Sequence, residues 1–115
     1  MKYLLLLHGD ADAEAALSDA VRRAVVDEHI RFSRELRESG AMVMGEALEP
    51  PPAGRSIRLD GAEPIVTDGP FLEGKEALGG FYVLECGSLD EATDLARRVP
   101  RSPGLVAQLL PIADV

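Results

Sequence analysis

The stretch Lys2-Tyr3-Leu4-Leu5-Leu6-Leu7-His8-Gly9-Asp10 decides the architecture. Its apolar run is too brief for a signal-peptide core and far too brief to cross a membrane. Gly9 and Asp10 close it abruptly. A short apolar run without polar alternation, closed in this way, predicts a central strand covered on both faces. The rest of the chain must then supply that strand's neighbours and its covers.

Downstream, Asp10 to Ser18 is rich in Ala, Asp and Glu and reads as a loop or a loose first turn. Ser18 to Ser39 predicts the main helix. Val21, Val25, Phe32 and Leu36 fall on one stripe at helical periodicity, while Arg22, Arg23, Arg31, Arg34, Arg37 and Glu38 lie mostly off it. His29 falls inside the stripe, between Val25 and Leu36, and Gly40 supplies the positive φ that ends the helix. Ala41 to Leu48 reads as a second strand, with Met42 and Met44 on one face and Val43 on the other. Pro50-Pro51-Pro52 then blocks further pairing. Ser56 to Leu59 and Pro64 to Val66 flank Asp60-Gly61, a tight-turn dipeptide, and predict a hairpin.

Thr67 to Phe71 is a hard turn in which Gly69 permits an otherwise forbidden bend, Pro70 fixes φ and Phe71 fills a hydrophobic gap. A short helical turn is expected within Phe71 to Leu78, after which Gly79-Gly80 opens a strand from Phe81 to Cys86. Ser88 and Glu91 form a capping box announcing a helix from Leu89 to about Val99, with Leu89, Ala92, Ala96 and Val99 on its apolar side. Pro100 and Pro103-Gly104 end it, and Leu105 to Leu110 is the closing strand. No repeat or linker divides the chain, so residues 1–115 form one domain.

The order β, α, β, hairpin, β, α, β is that of an α+β, ferredoxin-like βαββαβ domain with an inserted β-hairpin. Such a sheet carries its helices on one face, and the other needs a cover. The near-continuous apolar character of Leu4–Leu7 and Leu105–Leu110 points to two copies paired sheet to sheet, a closed homodimer.

Twenty acidic against twelve basic residues leave a net charge of −8, which repels phosphate backbones and argues against nucleic acid as a ligand. The same charge keeps a small protein in solution. Cys86 is the only cysteine, so neither an intrachain disulfide nor a thiolate cluster can form, and its apolar surroundings suit a small hydrophobe. With no membrane span or signal sequence expected, the cytoplasm is the default address. Gly79-Gly80 enters a strand rather than a helix and makes no phosphate loop. No G-x-S-x-G elbow appears. With no Trp and 4% aromatic residues, a haem or flavin pocket is poorly provided for, and no cofactor is expected.

His29 suits general acid–base work because an imidazole exchanges protons near neutrality. A carboxylate beside it would fix its tautomer and raise its proton affinity. The competing reading is a core histidine bonded to a backbone carbonyl. Asp68 either joins such chemistry or simply holds its turn by accepting backbone N–H bonds. His8 and Asp10 flank a glycine at a strand end, a usual place for ligand-facing groups and equally for solvated ones. Two lone histidines without metal-ligand spacing give no case for a metal. Tyr82 and Lys75 either orient a substrate or only pack and solvate.

Val66-Thr67-Asp68-Gly69-Pro70-Phe71, followed by Lys75-Glu76 and Leu78-Gly79-Gly80-Phe81-Tyr82, resembles the signature of DGPF-domain proteins in the YCII-related superfamily. The opening Met1 to Leu6 and the helix start Leu89 to Ala92 match as well. The resemblance implies a ferredoxin-like α+β fold forming a dimeric α/β barrel, with a biochemical role largely unestablished. In YciI-like members a His and an Asp are proposed as an active-site pair, the His eleven residues before the residue ending its helix. His29 stands eleven residues before Gly40. Asp10 resembles the Asp that ends the first strand in those members, and Asp68 is the alternative partner. His8 stands where many relatives carry an aromatic or aliphatic residue. Two functional readings result. One is a cofactor-free lyase or isomerase in which His29, oriented by Asp10 or Asp68, moves a proton on a small organic substrate in a pocket lined by Tyr82 and His8. The other is a non-catalytic dimeric ligand-binding or regulatory module, which the frequent placement of DGPF-type genes near alternative sigma factors makes relevant. A fold with no small-molecule site is the blander third.

Overall fold

The computed structural model describes residues 1–115. Its elements are β1 (Lys2–Asp10), α1 (Ala11–Ala15), α2 (Asp19–Glu38), β2 (Met42–Ala47), β3 (Arg55–Arg58), β4 (Ile65–Asp68), β5 (Glu76–Glu85), α3 (Leu89–Ala96) and β6 (Val106–Pro111), with a single 3-10 turn at Pro51–Ala53. Four strands form one open sheet in the order β2-β5-β1-β6, every pairing antiparallel. β3 and β4 make a separate two-stranded ladder. The chain is an α+β protein, and its sheet does not close into a barrel.

β1 is central, as its apolar run predicts, but only one of its faces is covered. Period-two alternation turns Tyr3, Leu5 and Leu7 toward the helices, where all three are buried. The register Leu5↔Tyr82 and Tyr3↔Leu84 puts Tyr82 and Leu84 on that same side. Phe32 and Leu36 of α2, Ala92 of α3 and Val99 complete the core with Cys86, which behaves as the small hydrophobe expected. Leu5, Leu36 and Leu84 are each 0% exposed, and removing each from water stabilises the fold by roughly 1.5–3 kcal/mol. On the other side Leu4, Leu6, Phe81 and Val83 line up with Met44, Val106 and Leu110, and no element of the chain covers them.

The predicted helix at Ser18–Ser39 is α2. Ser18 caps it by accepting the Val21 N–H at 3.2 Å, and Gly40 ends it at φ +78°. Its stripe is buried only toward the C-terminal end: Phe32 and Leu36 are in the core, whereas Val21 remains 46% exposed. The N-terminal half stands off the sheet, and there Arg22 rests on the carbonyls of Glu14 and Ala15 at the end of α1. That stand-off opens the space described below.

Several local expectations are corrected. Residues 71–78 form no helical turn, and β5 starts at Glu76 and runs straight through Gly79-Gly80. The register between β1 and β5 shifts at Leu7/His8, so that Leu7 faces Gly80 and His8 faces Leu78. A Cβ on Gly80 would lie 3.0 Å from the Glu46 carbonyl oxygen, so strand β2 would have to give by a few tenths of an ångström for any larger residue there. Phe71 fills no gap and is 76% exposed. Gly69 does take the predicted bend, at φ +82°. At α3, Ser88 accepts the Glu91 N–H as a capping box requires, but the Glu91 carboxylate reaches Gly87 N–H rather than that of Ser88.

The result is a slab with principal extents of 46 × 43 × 18 Å. Its radius of gyration is 15.9 Å, against about 13 Å for a compact domain of this length.

Candidate functional site

A cleft of about 890 Å³ lies between α2 and the helix-facing side of the sheet. That is room for a small organic molecule, which sites of roughly 300–1,000 Å³ accept. Its wall on the α2 side is built from Val25, Val26, His29 and Ser33, and its sheet side from Leu7 and Tyr82. Sequence spacing explains the helix side: residues three and four apart share a helical face.

Tyr82 organises the floor. Its hydroxyl and the Nδ1 of His29 are hydrogen-bonded at 2.8 Å, and the Ser33 hydroxyl donates to the same phenol oxygen at 3.5 Å. The His29 and Tyr82 rings are nearly parallel, 19° apart with centroids at 6.1 Å. Phe32 presses on the tyrosine edge-on, at 5.6 Å and 87°. From the β2 side the ring lies against Gly45, its strand neighbour, where any Cβ would sit 2.6 Å from Tyr82 Cδ1. The tyrosine is thus wedged between an aromatic edge and a bare backbone, and it holds the imidazole in turn.

Burial sets the protonation of this pair. Desolvation lowers the pKa of His29 below the ordinary 6.5, partly opposed by the nearby Glu28 carboxylate. Desolvation raises the Tyr82 phenol above 10, partly opposed by the Ser33 hydrogen bond. At neutral pH the pair is a neutral imidazole and a protonated phenol. Two proton placements suit the geometry. Either the phenol donates to Nδ1 and Nε2 carries the hydrogen, or Nδ1–H donates to the phenol oxygen and Nε2 is a free base.

The depressed pKa also enters stability. The unfolded chain takes up this proton before the folded chain does, so the contribution of neutral His29 is complete above pH 6.5 and is lost as the pH falls through the lower folded value. His29→Gln should therefore lose less of its urea midpoint than the wild type between pH 7.5 and pH 5. Equal losses in both proteins would contradict the depressed value.

The geometry invites comparison with known proteins. The YCII-related domain matches residues 1–110. The chain belongs to the YCII-related family. An uncharacterised protein of Rhizobium meliloti (strain 1021), R00369, is 38% identical over 97 residues, covering 84% of this chain and 78% of that protein.

Within this YCII-related chain the structure separates the residues that the sequence groups together. His29 and Tyr82 meet in the cleft. Neither carboxylate expected beside His29, Asp10 or Asp68, lines the cleft, and both are engaged elsewhere. Asp10 is the N-cap of α1, and its Oδ1 accepts the Ala13 N–H at 3.0 Å. Asp68 lies on the separate hairpin, 90% exposed, and pairs with Arg55 Nε at 3.2 Å rather than holding its turn through backbone N–H groups. An ion pair that exposed is worth only about 0–1 kcal/mol. His8 points to the uncovered face of the sheet, with its Nε2 3.3 Å from Gln108 Oε1. Lys75 is exposed and lies outside the cleft, although its backbone carbonyl accepts the Ala11 N–H at 2.8 Å.

Two contributors escaped the sequence. Ser33 could have been found as the residue one turn beyond His29. Gly45 could not, since its role exists only once strand register sets it beside Tyr82. No helix of the chain is long and apolar enough to cross a membrane.

Proposed function

We propose that the cleft binds a small organic molecule and that His29, backed by Tyr82, exchanges a proton with it without a cofactor. One observation carries the reading: a neutral, partly buried imidazole is tied through Nδ1 to a buried phenol at the floor of a roomy cleft. With Nδ1–H donated to the phenol oxygen, Nε2 offers its lone pair as a general base. The imidazolium formed on proton uptake keeps its bond to Tyr82. The phenol proton, then unused, can stabilise negative charge developing on the ligand. These roles suit a lyase or isomerase.

A screen of small organic compounds by NMR tests this. Compounds that shift the His29 and Tyr82 resonances should lose affinity about tenfold in His29→Gln, the upper end for a neutral hydrogen bond, and less in Tyr82→Phe. A compound consumed by the wild type and spared by His29→Gln would identify the reaction. Compounds that bind both proteins alike would end the proposal.

The reading extends to the assembly. The strand order β2-β5-β1-β6, with the helices on one face, supports a ferredoxin-like topology. The uncovered row of Leu4, Leu6, Phe81, Val83, Met44, Val106 and Leu110 supports pairing of two copies through this face into a dimeric α/β barrel.

A further inference from the structure

α2 carries a second polar group, Arg22, into the cleft, and no carboxylate lies within 4.0 Å of its nitrogens. Arg22 lies two turns before His29, about 10 Å along the axis, and seven residues return almost to the same side of a helix. Its Nη2 donates to the carbonyl oxygens of Glu14 at 3.1 Å and Ala15 at 2.9 Å. Those two bonds use both hydrogens of that nitrogen and fix the guanidinium plane. The Nε–H and the two hydrogens of Nη1 find no acceptor in the protein.

Among the ten arginines only Arg55, Arg58 and Arg98 have a carboxylate within 4.0 Å. Of the unpaired ones Arg22 and Arg37 border the cleft, and of these two only Arg22 is tethered by side-chain hydrogen bonds. A cation is therefore held in place on one edge and left open on the other. Between it and His29 the helix wall is apolar, formed by Val25 and Val26.

We propose that Arg22 anchors the carboxylate of a compact organic acid whose apolar body lies along Val25 and Val26 and whose reacting end meets His29 and Tyr82. This rests on the His29–Tyr82 reading and adds the substrate class to it. A guanidinium edge with three free donors matches a carboxylate's two oxygens. Glu14, Glu46 and Glu49, which also border the cleft, favour a single negative charge over a dianion such as a phosphate monoester.

The test uses 3-phenylpropionate and 4-phenylbutyrate, with their primary amides as neutral counterparts, titrated into labelled protein while the His29 and Tyr82 signals are followed. The wild type should bind the acids about tenfold or more tighter than the amides, the worth of charge-assisted hydrogen bonds. Arg22→Met should erase that preference and leave amide affinity unchanged. Arg22→Lys, which keeps the charge but not the fork, should restore part of it. Acids and amides bound alike by the wild type would overturn the anchor and leave the cleft reading standing. So would an equal loss for both in Arg22→Met, which would mark the bonds to Glu14 and Ala15 as purely structural. Failure of every probe to move His29 would overturn both.

Discussion

Leu6→Lys is expected to convert a dimer of this chain into monomers. Leu6 sits mid-strand on the uncovered face, with Phe81 across one ladder and Gln108 across the other. On an isolated subunit a lysine there extends into water at little cost, because nothing overlies the position. Between two stacked sheets the same ammonium would be buried against leucine and phenylalanine without a counter-charge. That penalty is several kcal/mol, so the dissociation constant should rise about a hundredfold or more. Sedimentation equilibrium of the wild type and the variant at micromolar concentration measures it. A wild type already monomeric there would remove the paired-sheet proposal, and a variant as dimeric as the wild type would move the contact elsewhere.

Gly45→Ala should disturb the site more than any exposed change. The added methyl would lie 2.6 Å from Tyr82 Cδ1 and 3.0 Å from Met42 Cε. The methionine can swing away, but the tyrosine is held from its other side by Phe32. The ring must tilt or β2 must move, and overpacking of this kind costs about 1–3 kcal/mol. A tilted ring withdraws its hydroxyl from Nδ1 of His29. The expected outcome is a lowered melting temperature together with a changed His29 titration in NMR. An alanine variant with wild-type stability and an unmoved His29 signal would show that the contact is slack.

How much of this was legible beforehand differs from element to element. The large features were: the apolar run at Leu4–Leu7, the stripe through Phe32 and Leu36, Gly40 as a helix stop and the cap at Ser88 all act through neighbours close in sequence, and each appears where it was expected. The failures share a different origin. Gly79-Gly80 looked like the entrance to a strand and lies inside one, because the bulge in β5 depends on what β1 presents opposite it. Phe71 looked like a plug, but a large apolar residue in a turn has no core to enter unless the turn folds back over one. Continuous hydrophobicity in β1 was read as a strand covered on both faces, and the chain itself covers only one.

For the site, helical spacing located His29 and could say nothing of its partner. A carboxylate was expected because Asp10 and Asp68 are prominent in sequence. Prominence is a poor guide to distance: Asp10 is spent on the cap of α1, and Asp68 rides on a hairpin outside the main sheet. Tyr82 stood among the candidates as a pocket-lining residue. Its role as the histidine's partner needed the geometry.

The thinness of the subunit will colour any attempt to weigh it by its motion. A disc-like particle 18 Å deep and more than 40 Å across drags more water than a ball of equal mass. A lone subunit should therefore elute early from a sizing column and pass for something heavier. Two discs laid flat together approach a ball, so the pair would elute close to its true mass. The error of the lone subunit narrows the gap between one copy and two, which makes light scattering the safer judge.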